Sequence, residues 1–188
     1  MYPEASDVVV STHFCNCAAN LRRVGTYGRV ADRLENGYRE MAEILLTQAE
    51  ADALIAMDKV RTDNTQWTYP AAGGHLSVPL TSADKRENFA LDVTRSSIKL
   101  TKSTHQNRAR QAIVLMRLDV DGPPHRNPDG VEIPCPHLHL YREGYGDKWA
   151  APAPPHLCPP GADAFAICVA FMTECNIVDT PAFVVGLF

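Results

Sequence analysis

The sequence predicts an α+β fold: an antiparallel sheet of about four or five strands, with an N-terminal and a C-terminal helix packed on one face. Three observations carry that expectation. A capped helical segment begins near Thr47, period-two alternation dominates residues 89–142, and helical spacing returns between Phe165 and Met172. With 188 residues, 45% of them apolar and 21% charged, the chain matches one globular domain that buries a core without disulfide or metal staples.

In chain order, residues 1–40 contain no clear strand pair and read as an N-terminal extension, partly helical or disordered, ahead of a single α+β domain over 41–188. Two alternatives stay open there. Met41 is the older start, or Val30, Leu34, Tyr38, Met41 and Leu45 hold one face of an amphipathic helix running into the domain. Thr47 followed by Glu50 is a capping box with Leu46 as its staple, predicting a helix over 49–60 that ends near Arg61. Phe89, Leu91 and Val93 then alternate with Ala90, Asp92 and Thr94. Ile98 and Leu100 alternate with Lys99 and Thr101, giving a second half-buried strand joined to the first by a tight connection at Ser96 and Ser97.

The strand at 112–120 divides Val114, Met116, Leu118 and Val120 from Ile113, Leu115, Arg117 and Asp119. Residues 121–130, DGPPHRNPDG, form a loop carrying His125. The strand at 136–142 buries Leu138 and Leu140, so His137, His139 and Tyr141 point together to the opposite face. A proline-rich extended connection over 150–160 leads into a helix with Phe165, Cys168, Val169 and Met172 on its apolar stripe, closed by Asn176 and Pro181. The uncovered sheet face then collects Arg117, Asp119, His137, His139 and Tyr141. His125 lies beside them, with a turn made of Thr104, His105, Gln106 and Arg108.

Composition narrows the function classes. No apolar run approaches the roughly 18 residues of a membrane span, and the start lacks a secretory signal, so the expectation is a soluble cytoplasmic protein with six reduced cysteines. His13, Cys15 and Cys17 form a cluster without the second cluster that a zinc site needs, and Cys168 and Cys175 read as core. The net charge of −4 is segregated: residues 85–117 hold eight bases against two acids, and residues 118–147 hold two bases against six acids. The basic stretch is either a phosphate-binding face or a solvated one whose cations pair with the acidic segment beside it.

Three function classes fit these residues. The first is a toxin-type ribonuclease that uses neither metal nor cofactor. Two imidazoles about 7 Å apart on one strand face act as acid and base on a phosphodiester, and cations steady the charge. Its catalytic candidates are His137, His139, Tyr141, His105 and His125; its binding candidates are Lys99, Lys102, Gln106, Arg108, Arg110 and Arg117. The second is a metal-dependent hydrolase with His137, His139 and His125 as ligands and Asp129 or Asp119 as the oxygen donor. The third is a non-enzymatic inhibitor or adaptor that binds a host defence protein or a nucleoprotein complex through its charged faces. Against all three stands a plain structural role, in which His137 and His139 bond Asp119, Arg117 or turn carbonyls and hold the long loop. PHLHLY also grazes the histidine-triad nucleotide hydrolase pattern, but its third position is Tyr141 and the phosphate-binding context is missing.

KLTKSTHQNR at 99–108, the strand at 116–120 with GPPHRNPDG, PHLHLYREGYGDKWA at 136–150 and the ending FMTECNIVDTPAFVVGLF together resemble a bacterial domain family of unknown function. The resemblance covers about residues 43–188 and implies small stand-alone cargo of phages and other mobile elements. It supports Met41 as the older start and brings no settled activity. The proline-rich stretch at 151–160 departs from the family pattern.

Overall fold

The computed structural model describes residues 46–184. The extension over 1–40, the amphipathic alternative ending at Leu45, and His13, Cys15 and Cys17 lie outside the described residues. Thr47 caps helix α1 (Gln48–Ala56) through the expected reciprocal pair: the Glu50 amide donates to Thr47 Oγ1 at 3.3 Å, and the Thr47 amide donates to Glu50 Oε2 at 2.9 Å. Thr47→Ala is expected to cost about 1 kcal/mol, read as a lower urea midpoint with an unchanged slope.

The helix stops at Ala56, short of the expected Arg61, because Met57 turns extended (ψ 136°) and Lys59–Arg61 become strand β1. Lys59 explains the stop. Its fully buried ammonium donates to the carbonyls of Ile55 (3.1 Å), Met57 (2.9 Å) and Cys175 (2.9 Å), supplying donors that the ends of both helices lack. Burial pushes the Lys59 amine down to about 8.

The remaining elements are β2 (Gln66–Thr68), β3 (His75–Ser82), β4 (Asn88–Arg95), β5 (Ser103–Ala109), β6 (Ile113–Val120), β7 (His125–Arg126), β8 (Glu132–Ile133), β9 (His137–Leu140), β10 (Ala150–Pro152), α2 (Ala164–Glu174), β11 (Ile177–Asp179) and β12 (Ala182–Val184). One sheet of eight strands runs β10-β9-β6-β5-β4-β3-β1-β11. It is antiparallel except for the β1–β11 edge pair. Two smaller pairs, β2–β12 and β7–β8, flank it.

The sheet is thus larger than the four or five strands expected. Strand β3 hides behind Pro79, a residue that argues against an interior strand. Here β1 pairs only with Leu80, Thr81 and Ser82, so Pro79 lies beyond its end, where that neighbour asks for no donor. The proline-rich stretch likewise begins as an edge strand, β10, paired with β9.

The strand expected at 98–101 is instead a turn. Ser96 Oγ accepts the amides of Ile98 (3.2 Å) and Lys99 (3.1 Å), which curls the chain and leaves Ile98 94% exposed. The next strand is β5, so Thr104, His105, Gln106 and Arg108 lie on a strand rather than in a turn.

The core gathers Leu54 of α1, Ile167, Cys168, Phe171 and Met172 of α2, and Val78, Leu91, Val93, Leu118 and Leu138 of the sheet. Helix α2 spans Ala164–Glu174, and Asn176 follows it at φ 56°, a left-handed stop that asparagine tolerates. Strand β6 carries one residue more than β5: Asn107 faces Met116 while Arg108 faces Val114, so Leu115 is extra and both Leu115 and Met116 are buried. The bulge breaks the simple alternation expected across 112–120. No helix among the described residues is long and apolar enough to cross a membrane.

Candidate metal centre on the polar sheet face

Cross-strand register builds the site. One row across the sheet runs His75, Thr94, Thr104, Asp119 and His137, and the next runs Ser77, Asp92, Gln106, Arg117 and His139. Pleat alternation therefore places Asp119, His137 and His139 together, on the side opposite Leu118 and Leu138. One ligand atom from each of the three residues lies within 4.8 Å of the other two.

Backbone carbonyls fix both imidazoles. His139 Nδ1 lies 2.8 Å from the Asp147 carbonyl and His137 Nδ1 lies 3.3 Å from the Pro134 carbonyl. A carbonyl only accepts, so these bonds place a hydrogen on each Nδ1 and leave each Nε2 facing Asp119 Oδ2, at 3.2 Å for His139 and 3.5 Å for His137. Both rings are buried: His139 is 0% and His137 3% exposed.

Asp119 anchors the cluster. Thr104 Oγ1 donates to its Oδ1 at 2.6 Å and Arg117 Nε to its Oδ2 at 3.2 Å. Burial alone pushes the carboxyl up, but the facing His139 imidazole, the Thr104 hydrogen bond and the Arg117 charge outweigh it and hold the group well below the usual carboxylate range. Burial, with the neighbouring His139 adding to it, pushes His137 below its ordinary value. Arg117 also pairs with Asp147, and its Nη2 sits 3.0 Å from His139 Nε2.

The 121–135 loop is a built element. Asn127 clamps it to β10, donating to the Ala150 carbonyl (2.9 Å) and accepting the Ala150 amide (2.8 Å). His125 thereby reaches the cluster, its ring centroid 4.5 Å from that of His139 and 5.7 Å from that of His137. Its Nε2 donates to the Lys148 carbonyl at 2.9 Å. Two consecutive carbonyls, Asp147 and Lys148, thus orient two of the three imidazoles.

Several expected site residues lie elsewhere. His105 shares its strand face with the buried Asn107 and Ala109 and packs on Phe171 with ring centroids 5.9 Å apart, because alternation along β5 turns it to the helix side. Tyr141 follows β9 opposite the bulge, and its hydroxyl donates to the Leu46 carbonyl at 2.8 Å, so it belongs to the core and not to the open face. Leu140, expected inside, is 45% exposed. Asp129 accepts the Val131 amide within its own turn.

The cations of the basic stretch are largely spent on acids: Lys99 on Asp121, Arg108 on Asp92, Arg110 on Glu87, and Arg117 on Asp119 and Asp147. Gln106 also turns to Asp92, at 3.4 Å. Lys102 pairs with no carboxylate among the described residues. Pro134, Asp147 and Lys148 are positioning residues that the sequence pattern does not single out for this cluster. They act at least partly through backbone carbonyls or a remote ion pair, which side-chain patterns do not reveal.

The fold and the site define an α+β protein with an eight-stranded sheet and a carbonyl-oriented histidine–aspartate centre on its polar face. Residues 46–177 match a family of unknown function (DUF6978), and the chain belongs to that family. No curated protein and no solved structure matched.

Proposed function

We propose that this protein is a metal-dependent hydrolase whose divalent ion is held by His137, His139 and Asp119. The observation that carries the reading is the convergence of the three donor groups with both Nδ1–H groups tied to backbone carbonyls, the outer-shell arrangement that orients metal-ligating histidines. Two imidazoles and one carboxylate suit zinc, iron or manganese and leave coordination positions for water and substrate. An ion held there supplies Lewis-acid activation of water.

The chain's own residues set the rest. Thr104 holds Asp119 in place, the Asp147 and Pro134 carbonyls hold the rings, and the Asp147 carboxylate gives the Arg117 guanidinium a partner outside the ligand set. Metal-free cleavage of RNA asks for two accessible imidazoles at opposite ends of a phosphodiester. A fully buried His139, with both Nε2 atoms turned to one carboxylate, serves coordination better.

The test is a calorimetric titration of chelator-treated protein with Zn²⁺ and with Mn²⁺. One ion per chain is expected for the wild type, and none for His137→Ala or His139→Ala when both remain folded. Hydrolysis of chromogenic phosphate and carboxylate esters should follow metal loading. Turnover of RNA or ester that survives chelation, in a wild type that takes up no ion, would favour metal-free histidine chemistry instead.

A further inference from the structure

A cleft of about 240 Å³ opens beside the centre, lined among others by Lys102, Thr104, Asp119, His125 and His137. It adjoins a second depression of about 430 Å³ lined by Thr94, Arg95, Ser96 and Ser97, and the two share Lys102, Ser103 and Thr104. Their chemistry differs. The first presents a primary ammonium, two imidazoles and the Asp119 carboxylate; the second presents mainly hydroxyls.

Lys102 pairs with no carboxylate among the described residues, unlike Lys99, Arg108, Arg110 and Arg117. Among the described residues no Phe, Tyr or Trp lines either depression, so they offer no aromatic stacking platform for a nucleobase there.

We propose that the two depressions form one substrate site for the phosphate ester of a sugar-like alcohol, an assignment that rests on the hydrolase reading for its chemistry. The phosphoryl group sits between Lys102 and the His137–Asp119 wall with His125 beside it, and the hydroxyl-bearing alcohol lies over Thr94, Ser96 and Ser97. In the reaction, the oxygen of water bonds to phosphorus and the phosphorus–oxygen bond to the alcohol breaks. The alcohol leaves with one of the water's protons, giving inorganic phosphate from a monoester and a shorter ester from a diester. Lys102 offsets charge on the phosphoryl oxygens.

Binding of inorganic phosphate, ribose, ribose 5-phosphate and a short oligouridylate to the full chain, with and without Mn²⁺, tests the assignment by calorimetry. Ribose 5-phosphate is expected to bind more tightly than phosphate or ribose, and Lys102→Gln to weaken both phosphate-bearing ligands about tenfold or more. Mn²⁺ uptake should stay unchanged in that variant, since Lys102 is an exposed side chain outside the ligand set. Phosphate affinity equal in wild type and Lys102→Gln would overturn the phosphoryl subsite, and ribose 5-phosphate binding no better than phosphate would overturn the alcohol subsite. Lys102-dependent phosphate binding without any Mn²⁺ uptake would keep the anion site and remove the metal reading. Oligouridylate binding tighter than ribose 5-phosphate would support the site with an RNA backbone as the source of the ester.

Discussion

Asp119→Ala is expected to weaken metal uptake more than about a hundredfold and to remove about 2–3 kcal/mol of stability. Both effects come from one carboxylate with several partners. It faces the Nε2 atoms of His137 and His139, accepts from Thr104 Oγ1 and takes the Arg117 Nε hydrogen. Truncation strands Arg117 in a mostly buried position with Asp147 as its remaining carboxylate partner, and leaves Thr104 without its acceptor. Asp119→Asn separates the two effects. It keeps the shape and an acceptor for Thr104, so its stability loss should be the smaller, while its metal loss should match that of alanine because a neutral amide is a poor ligand. Urea unfolding and metal titration of the two variants read these quantities independently. A folded Asp119→Asn protein that still takes up one ion at wild-type affinity would show that the histidines, or other donors, suffice without the carboxylate.

Much of this centre was legible in the sequence because strand alternation is a local rule. His137 and His139 two apart on β9, and Arg117 and Asp119 two apart on β6, had to share faces once each strand was recognised, and the turn-rich loop between them implied that the strands pair. The same rule failed where local geometry intervened. The extra Leu115 in β6 changes the phase of the neighbouring chain, and Tyr141, read as the third member of the histidine face, packs in the core instead. His105 was misplaced for a different reason: reading 98–101 as a strand forced the next segment into a turn, whereas Ser96 capping makes 96–102 the connection and β5 the strand. The sheet's extent was illegible because β1, β10 and β11 are three residues each, too short for periodicity to register. Charge segregation was read correctly as composition, but its consequence lay in pairing. Asp92 and Glu87 neutralise Arg108 and Arg110 from the neighbouring strand or its end, and only the folded register shows that Lys102 has no carboxylate partner among the described residues.

Between pH 7 and pH 5 the protein is expected to lose about 2 kcal/mol of stability through His105 alone. The ring is 0% exposed, neither nitrogen has a hydrogen-bond partner among the described residues, and it packs against Phe171. Burial drives its titration down to about 4, with the nearby Ala164 carbonyl and the Asp119 charge opposing the shift only in part. An unfolded chain takes up this proton near its ordinary 6.5 while the folded chain refuses it until about 4. The stability in question is therefore fully present above the unfolded value and drains away as the pH falls through that window. Asp119, whose carboxyl is held below 3.8, contributes its own loss only at still lower pH, so the two regions separate on a titration. His105→Leu removes the protonation site and two unsatisfied nitrogens at similar volume. It should make the profile between pH 7 and 5 shallower, with the smaller loss that the likewise depressed His137 contributes remaining, and gain about 1–2 kcal/mol at pH 7. Urea unfolding of both proteins across pH 4 to 8 reads the difference. A His105→Leu profile parallel to that of the wild type would mean that the buried imidazole finds a partner or a proton in the folded state, and that the acid loss originates elsewhere.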